Sequence, residues 1–286
     1  MDGLKRVAAI HDLSGVGRCS LSVILPTLSV MGVQVCPLPT ALLSTHTSGF
    51  GDVVLKDMTD YIPDALKHYI AAGLDFDCIY SGFLASEEQV THCLEVMDSF
   101  KTALRVVDPV MGDNGKRYRT YNETLCRRMG ELVAEADIIT PNLTEASILL
   151  DSSYPLAPLT ISEAKQYLVK LSQKGPKIVV ITGAHLADGE VCNIGFDREH
   201  NAFWRVSYEM IPKNYPGTGD IFASILTGGI LLGDSLPIAI ERATQFCEYA
   251  IKTTFGYGAP VREGVMLEKC LPMLVEKQRF TEYKQL

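Results

Sequence analysis

Tyr215-Pro216-Gly217-Thr218-Gly219-Asp220 is the stretch whose residue types and spacing are best suited to chemistry. It runs into an apolar segment spaced as a helix, with Ile221, Phe222, Ile225, Leu226, Leu231 and Leu232 recurring on one side. Neither Gly217 nor Gly219 carries a Cβ, so the backbone can turn sharply and come close to a ligand. The free N–H groups of the helix start that follows form a seat for an anion. Asp220 stands at that seat, and two readings fit it. It is an ordinary N-cap after a glycine turn, or it takes a proton from a hydroxyl while the amides hold the anion that the hydroxyl attacks.

Other polar residues follow short apolar runs that read as strands: Asp12 and Ser14, His46 and Thr47, Asp108, Asn142 and Thr182. In an open, mostly parallel sheet ligands bind outside the carboxyl ends of the strands, which is where these residues fall. Taken singly, each also fits a turn or cap. Asp108 reads as a turn acid before Pro109, or as a carboxylate facing a metal ion in phosphoryl transfer. Thr144 is a candidate cap for a short helix with Glu145 in its first turn, and Asn142 with Glu145 could instead orient the waters of Mg²⁺. Two rival phosphate motifs fail. Gly15-x-Gly17-x-x-Ser20 lacks the third glycine of a dinucleotide fingerprint, and no acid ends the next strand. Gly112-x-x-Gly115-Lys116-Arg117 lacks the spacing and the hydroxyl residue of a Walker A loop.

The elements that must position these residues alternate. Strands are expected at Val7–Ile10, Val33–Leu38, Cys78–Tyr80, Arg105–Val107, Asp137–Ile139 and Lys177–Ile181. Helical spacing is expected at Tyr61–Ala72, Glu87–Phe100, Leu125–Ala134 and, capped by Ser162, on to Lys174. Pro26 argues for a kink or break within the apolar segment Leu21–Met31. Val191–Phe196 and Ala202–Tyr208 read as a β-hairpin near 190–208. Repeated alternation implies an α/β fold with a mostly parallel central sheet and helices on both faces. No linker interrupts it, so residues 1–286 are expected to form one domain.

The chain has 286 residues, 47% of them hydrophobic, and can bury a large core. A net charge of −8 and the absence of a basic run argue against nucleic-acid binding. No apolar run reaches the roughly 18–20 residues of a membrane span, and the start does not read as a signal peptide. The eight cysteines form no Cys-x-x-Cys pair or zinc-like cluster and suit a reducing cytosol, so a cytoplasmic protein is expected.

Four motifs in this order carry a resemblance: Asp108-Pro-Val-Met-Gly112, Thr140-Pro-Asn142-Leu-Thr-Glu145, Thr182-Gly183 and Gly217-Thr-Gly-Asp220. Together they resemble the ribokinase-like superfamily, and within it the pyridoxal (vitamin B6) kinases, most of all a bacterial-type pyridoxine/pyridoxamine kinase. Ser44-Thr-His-Thr47 and Ser81-Gly-Phe-Leu-Ala-Ser86 are similar to segments of that family. The resemblance runs from about Val7 to the C-terminal helices. It implies ATP-dependent phosphorylation of a hydroxymethyl group, with Asp220 as base and the amides of Gly217, Thr218 and Gly219 as anion hole. It further implies Asp108, Glu145 and Thr140 beside Mg²⁺, helped by a monovalent cation such as K⁺. Asn142, Thr182 and Gly183 would lie at the nucleotide, with Asp113 and Tyr118 in a mobile lid over Gly112–Tyr121. Asp12, Ser14, His46, Thr47 and Phe83 would line the substrate side, and the protein would be a homodimer. At a helix N-terminus Asp220 is expected to keep a low pKa and be a weak base. Two positions depart from the pattern. Asp12-Leu-Ser14-Gly15 resembles hydroxymethylpyrimidine kinases of thiamin synthesis, and Phe83 replaces a tyrosine. A hydroxymethylpyrimidine or another small alcohol is therefore the alternative substrate. A catalytically silent vitamer- or nucleotide-binding protein is the alternative from another class.

Overall fold

Val7-Ala8-Ala9-Ile10 has no solvent exposure on either side, as an apolar run without a polar face requires when a strand is covered on both faces. The computed structural model describes residues 3–276 and 280–286. Its first half runs β1 (Arg6–Val16), α1 (Leu21–Val30), β2 (Gln34–Thr45), β3 (Leu55–Asp57), α2 (Tyr61–Ala71), β4 (Cys78–Ser81), α3 (Glu87–Ser99) and β5 (Leu104–Val107). A small ribbon follows, β6 (Gly112–Asp113) and β7 (Lys116–Arg117), then α4 (Glu123–Glu135), β8 (Ile138–Ile139), α5 (Leu143–Leu149) and α6 (Ile161–Ser172). The last part is β9 (Ile178–His185), β10 (Val191–Asp197), β11 (Ala202–Ser207), α7 (Thr218–Leu231), α8 (Leu236–Gly256), α9 (Leu267–Cys270) and β12 (Tyr283–Gln285).

The main sheet has the order β12-β11-β10-β9-β8-β5-β4-β1-β2-β3. Strands β2, β1, β4, β5, β8 and β9 pair in parallel. Antiparallel strands extend both ends: β3 on β2, and β10, β11 and β12 beyond β9. This is the expected ribokinase-like architecture, hairpin included. Alternate residues of one strand enter different cores. Ala8 and Ile10 join the core under α2 to α6, whereas Val7 and Ala9 join the one under α1, α7 and α8. The strand order reverses at β1, because β2 lies on one side of it and β4, β5, β8 and β9 on the other. A crevice therefore opens at the carboxyl ends of β1 and β4.

Several expectations need correcting. The first strand does not end at Ile10 but continues through Asp12 and Ser14 to Val16, with a shift in its pairing to β2 between His11 and Leu13. Pro26 does not break α1, whose face of Leu21, Val23, Ile24, Thr27 and Leu28 is buried and outweighs the lost N–H. Asn142, not Thr144, caps α5, and Thr160, not Ser162, caps α6. Each forms a capping box with the glutamate three residues on, Glu145 and Glu163. Thr182 and Gly183 lie within β9 rather than after it. The segment Gly112–Tyr121 holds the β6–β7 hairpin, turning on Asn114 and Gly115 with φ of 52° and 74°. No cysteine is paired, and among the described residues no helix is long and apolar enough to cross a membrane.

Candidate active site

Gly217 is the N-cap of α7, with φ of 82°. A Cβ there would stand 2.1 Å from the carbonyl oxygen of Arg18, so only glycine lets the α7 start lie against the loop between β1 and α1. Asp220 is therefore not the cap but the third residue of the helix, and it is buried. Its Oδ2 accepts the backbone N–H of Ser20 at 2.8 Å and the thiol of Cys19 at 3.4 Å. Ser20 holds a positive φ of 52° in making that contact, a conformation an L-residue adopts at a cost and one that recurs at functional sites. Burial, and then the charge of Asp12, push the Asp220 carboxyl up to about 6 against the pull of the Ser20 N–H. The expected weak base is corrected accordingly: desolvation outweighs the helix terminus.

Asp108 directly follows β5 and is buried near Asp220, whose charge it feels. Burial and the Asp220 charge push it up to about 8, eased by the nearby Thr140 hydroxyl, which makes no hydrogen bond of ordinary geometry. Glu145 is buried next to it and raised well above the ordinary carboxylate range, by burial first and then by Asp108. Its Oε1 accepts the N–H of Met111 at 3.1 Å and its Oε2 that of Asn142 at 2.9 Å. Asp12, within β1 where its pairing to β2 shifts, is raised by burial and accepts the Ser14 hydroxyl at 3.3 Å. Four buried carboxylates thus share one crevice. None of the four has a basic side chain in an ion pair among the described residues. Like charges buried together call for a cation. Among the described residues no group of three or more His, Cys, Asp or Glu could hold a metal by itself. By their chemistry Asp108 and Glu145 would suit a hard cation such as Mg²⁺ that takes its other oxygen ligands from outside the protein.

Not every expected residue faces the crevice. His46 is buried with both ring nitrogens engaged: Nε2 lies 2.7 Å from the Arg262 carbonyl, and Nδ1 accepts the Ser48 N–H at 3.1 Å. It anchors a loop and leaves no ring nitrogen for a ligand. Thr47 is exposed. Phe83 is half-buried, packed against the core and T-shaped to Tyr121 at 5.9 Å. The Asn142 Oδ1 is spent on the α5 cap, and its Nδ2 donates to the Gly112 carbonyl at 2.8 Å, which ties the small hairpin down. Asp113 accepts the side-chain amide of Asn214 at 2.9 Å, joining the hairpin to the loop before α7. Tyr118 follows, its phenol raised by partial burial and by the charges of Glu145, Asp113 and Asp108. Thr182 donates its N–H to the Pro141 carbonyl at 3.0 Å. The Gly183 N–H donates to Asn193, which in turn donates to Thr244 on α8. A Cβ at Gly183 would lie 3.8 Å from the hydroxyl of Tyr208, and Tyr208 lines a cavity of about 580 Å³ together with Ser207, Thr244, Gln245 and Glu282 among others.

The family model described as phosphomethylpyrimidine kinase matches residues 25–264. The chain belongs to that family. Membership makes it an ATP-dependent kinase. It is 42% identical, with a TM-score of 0.95, to a Bacteroides thetaiotaomicron protein described as a candidate phosphomethylpyrimidine kinase and crystallised with pyridoxal; the match covers 99% of this chain and 100% of that one. The pyridoxal kinase of Lactobacillus plantarum is 32% identical with a TM-score of 0.88, over 96% of this chain and 97% of that one. A bifunctional thiamine biosynthetic enzyme of Arabidopsis thaliana is 29% identical over 83% of this chain, which spans 44% of that longer protein.

The kinase's site contains residues that its sequence did not single out, Asn193, Asn214 and Cys19 among them. Cys19 touches Asp220, and nothing local signals a contact across 201 positions. If Asp220, pushed up to about 6, must be ionised for turnover, kcat/KM is expected to fall about tenfold per pH unit below that value and to level off above it. Replacing Cys19 by alanine removes a donor to the carboxylate, so the acid limb should move to higher pH. A pH profile of kcat/KM for both proteins checks this. An unmoved limb would place the titration elsewhere.

Proposed function

We propose that this kinase transfers the γ-phosphoryl group of ATP to the 5′-hydroxymethyl group of pyridoxal, pyridoxine or pyridoxamine. The observation that carries the reading is Asp220, a buried carboxylate with a raised pKa at the amide-rich start of α7. It accepts the hydroxyl proton as the phosphoryl group departs, late if the transition state is loose. The first-turn amides from Gly217 to Asp220 face the transferring phosphoryl oxygens. Asp108 and Glu145 would hold Mg²⁺, aided by Thr140, and the ion would neutralise phosphate charge as it is redistributed. The Phe83 ring packs on the vitamer, with Asp12 and Ser14 at its polar edge. The base end of the nucleotide enters the cavity beside Gly183, and the hairpin with Asp113 and Tyr118 covers the phosphates and excludes water. The resemblance extends the reading to a monovalent cation such as K⁺ and to a cytoplasmic homodimer.

The Bacteroides structure with pyridoxal supports a B6 vitamer. Asp12-Leu-Ser14-Gly15 favours the second reading, a hydroxymethylpyrimidine, as does the hydroxymethylpyrimidine/phosphomethylpyrimidine kinase of Bacillus subtilis, 26% identical over 81% of this chain. ATP consumption against pyridoxal, pyridoxine, pyridoxamine and hydroxymethylpyrimidine separates them. The B6 vitamers are expected to turn over fastest. Turnover of the pyrimidine alone would establish the second reading, and turnover of none would favour a silent binding protein. Replacing Asp12 by serine should lower kcat/KM for pyridoxamine relative to pyridoxal, because the carboxylate that pairs with an amine is lost. An unchanged ratio would show that Asp12 does not read the vitamer.

A further inference from the structure

Residues 280–286 return to the edge of the sheet. There β12 pairs antiparallel with β11, Trp204 opposite Gln285 and Val206 opposite Tyr283. The Tyr283 ring stands edge-on to Trp204 at 5.9 Å, and Phe280 lies under the Arg242 guanidinium at 4.6 Å. What seats this strand is Glu241 of α8, a carboxylate with no solvent exposure. Its Oε1 accepts the backbone N–H groups of Thr281 at 2.6 Å and Glu282 at 2.9 Å, and its Oε2 that of Tyr283 at 3.2 Å. Gln245 donates to the same Oε1 at 2.9 Å. A buried carboxylate is costly unless its lone pairs are filled, and three successive backbone donors fill these. The bonds fix the path of the chain through Glu282, which stands in the wall of the cavity beside Gly183.

One turn further along α8, Thr244 and Gln245 also line that cavity, and Thr244 is joined through Asn193 to the Gly183 N–H. The same helix face therefore grips the strand and one side of the cavity. We propose that residues 280–286 dock so that Glu282 completes the wall of the nucleotide's base-side cavity, with Glu241 as the positioning residue that holds the segment there. The proposal rests on the kinase reading, since it takes the cavity as the nucleotide's. Strand β12 stands at the edge of the sheet, seven places from β1, whose following loop contacts Asp220, so its loss is expected to weaken nucleotide binding and leave the transfer step nearly intact. Glu190, Glu209 and Glu248 in the same lining make the cavity unsuited to phosphates and suited to an uncharged base that presents amino donors.

Two variants test this: Glu241→Gln and deletion of residues 280–286. Trp204 is the chain's single tryptophan, so acrylamide quenching of its fluorescence reports whether the strand is docked. Calorimetry with Mg·ATP reports nucleotide affinity without requiring turnover. In the deletion, Trp204 should become more accessible and the Kd for ATP should rise about tenfold, with the KM for ATP following, while kcat and the KM for the alcohol stay within about twofold. Glu241→Gln keeps an oxygen acceptor but loses the charge, so both effects should be smaller and of the same sign. An exposed Trp204 with unchanged ATP affinity would overturn the proposal, as would a loss confined to kcat. Wild-type protein that bound ATP yet phosphorylated no vitamer would count against the proposed alcohol and not against the strand.

Discussion

Asp220→Asn is expected to lower kcat by on the order of 10²-fold or more, with little change in fold or ATP affinity. Asparagine has nearly the same shape, and its side-chain oxygen can still accept the Ser20 N–H that Asp220 accepts at 2.8 Å. What disappears is a buried carboxyl that its surroundings push up to about 6, a range suited to accepting a proton near neutrality. Loss of this charge also removes part of what raises Asp108, so Asp108 should ionise more readily in the variant. A fall in kcat is then not explained by damage to the cation site. Steady-state kinetics and a thermal melt distinguish the cases. Near-normal turnover would remove Asp220 from the chemistry and leave it a buried structural acid.

Gly217→Ala should damage both stability and turnover. The left-handed backbone at φ 82° already costs an alanine about 1–2 kcal/mol. The new Cβ would also stand 2.1 Å from the Arg18 oxygen, 3.0 Å from its carbonyl carbon and 3.1 Å from the Cys19 Cα. These are backbone atoms that cannot swing aside, so the β1–α1 loop must move away from α7. The same loop supplies the Ser20 N–H and the Cys19 thiol to Asp220. A lower melting temperature is expected, together with a fall in kcat on the order of 10²-fold, the scale of losing a charge-stabilising contact. Gly219→Ala is the companion. Nothing lies within 4 Å of a Cβ there, so the fold should be unharmed while a methyl group intrudes on the anion seat. Turnover should then fall with no change in melting temperature. An unaffected Gly219→Ala would contradict the seat, and an unaffected Gly217→Ala would contradict the packing.

Much of this site is legible in the chain because the sheet that builds it is buried on both faces. Val106-Val107 before Asp108 and Ile138-Ile139 before Thr140 are apolar runs whose end marks the ligand side of the sheet. The glycine turn before α7 is equally plain, since few residues other than glycine tolerate its backbone. Other features had local signals of a different kind. Asn114-Gly115 is a strong hairpin turn, and the reading as a mobile lid passed over it. Asn142 and Thr160 each precede a glutamate by three residues, a stronger cap signature than Thr144 or Ser162 offers. The rest is not local. The pKa of Asp220 depends on how far folding removes it from water and on Asp12, 208 positions away. The engagement of the His46 Nε2 depends on the Arg262 carbonyl, 216 positions away, and the docking of the last strand depends on Glu241 of α8.

The proposed reaction is transfer of the γ-phosphoryl group of ATP to the hydroxymethyl group of a B6 vitamer, with Asp220 as base. Phosphorus NMR of wild type and Asp220→Asn, each with Mg·ATP and pyridoxal, tests it most directly. Wild type should convert ATP and pyridoxal into ADP and a phosphate monoester on the 5′-oxygen in equal amounts, and the variant should form that ester at least about a hundredfold more slowly. ATP split to free phosphate with no ester in wild type, or ester formed equally fast by both proteins, would contradict it.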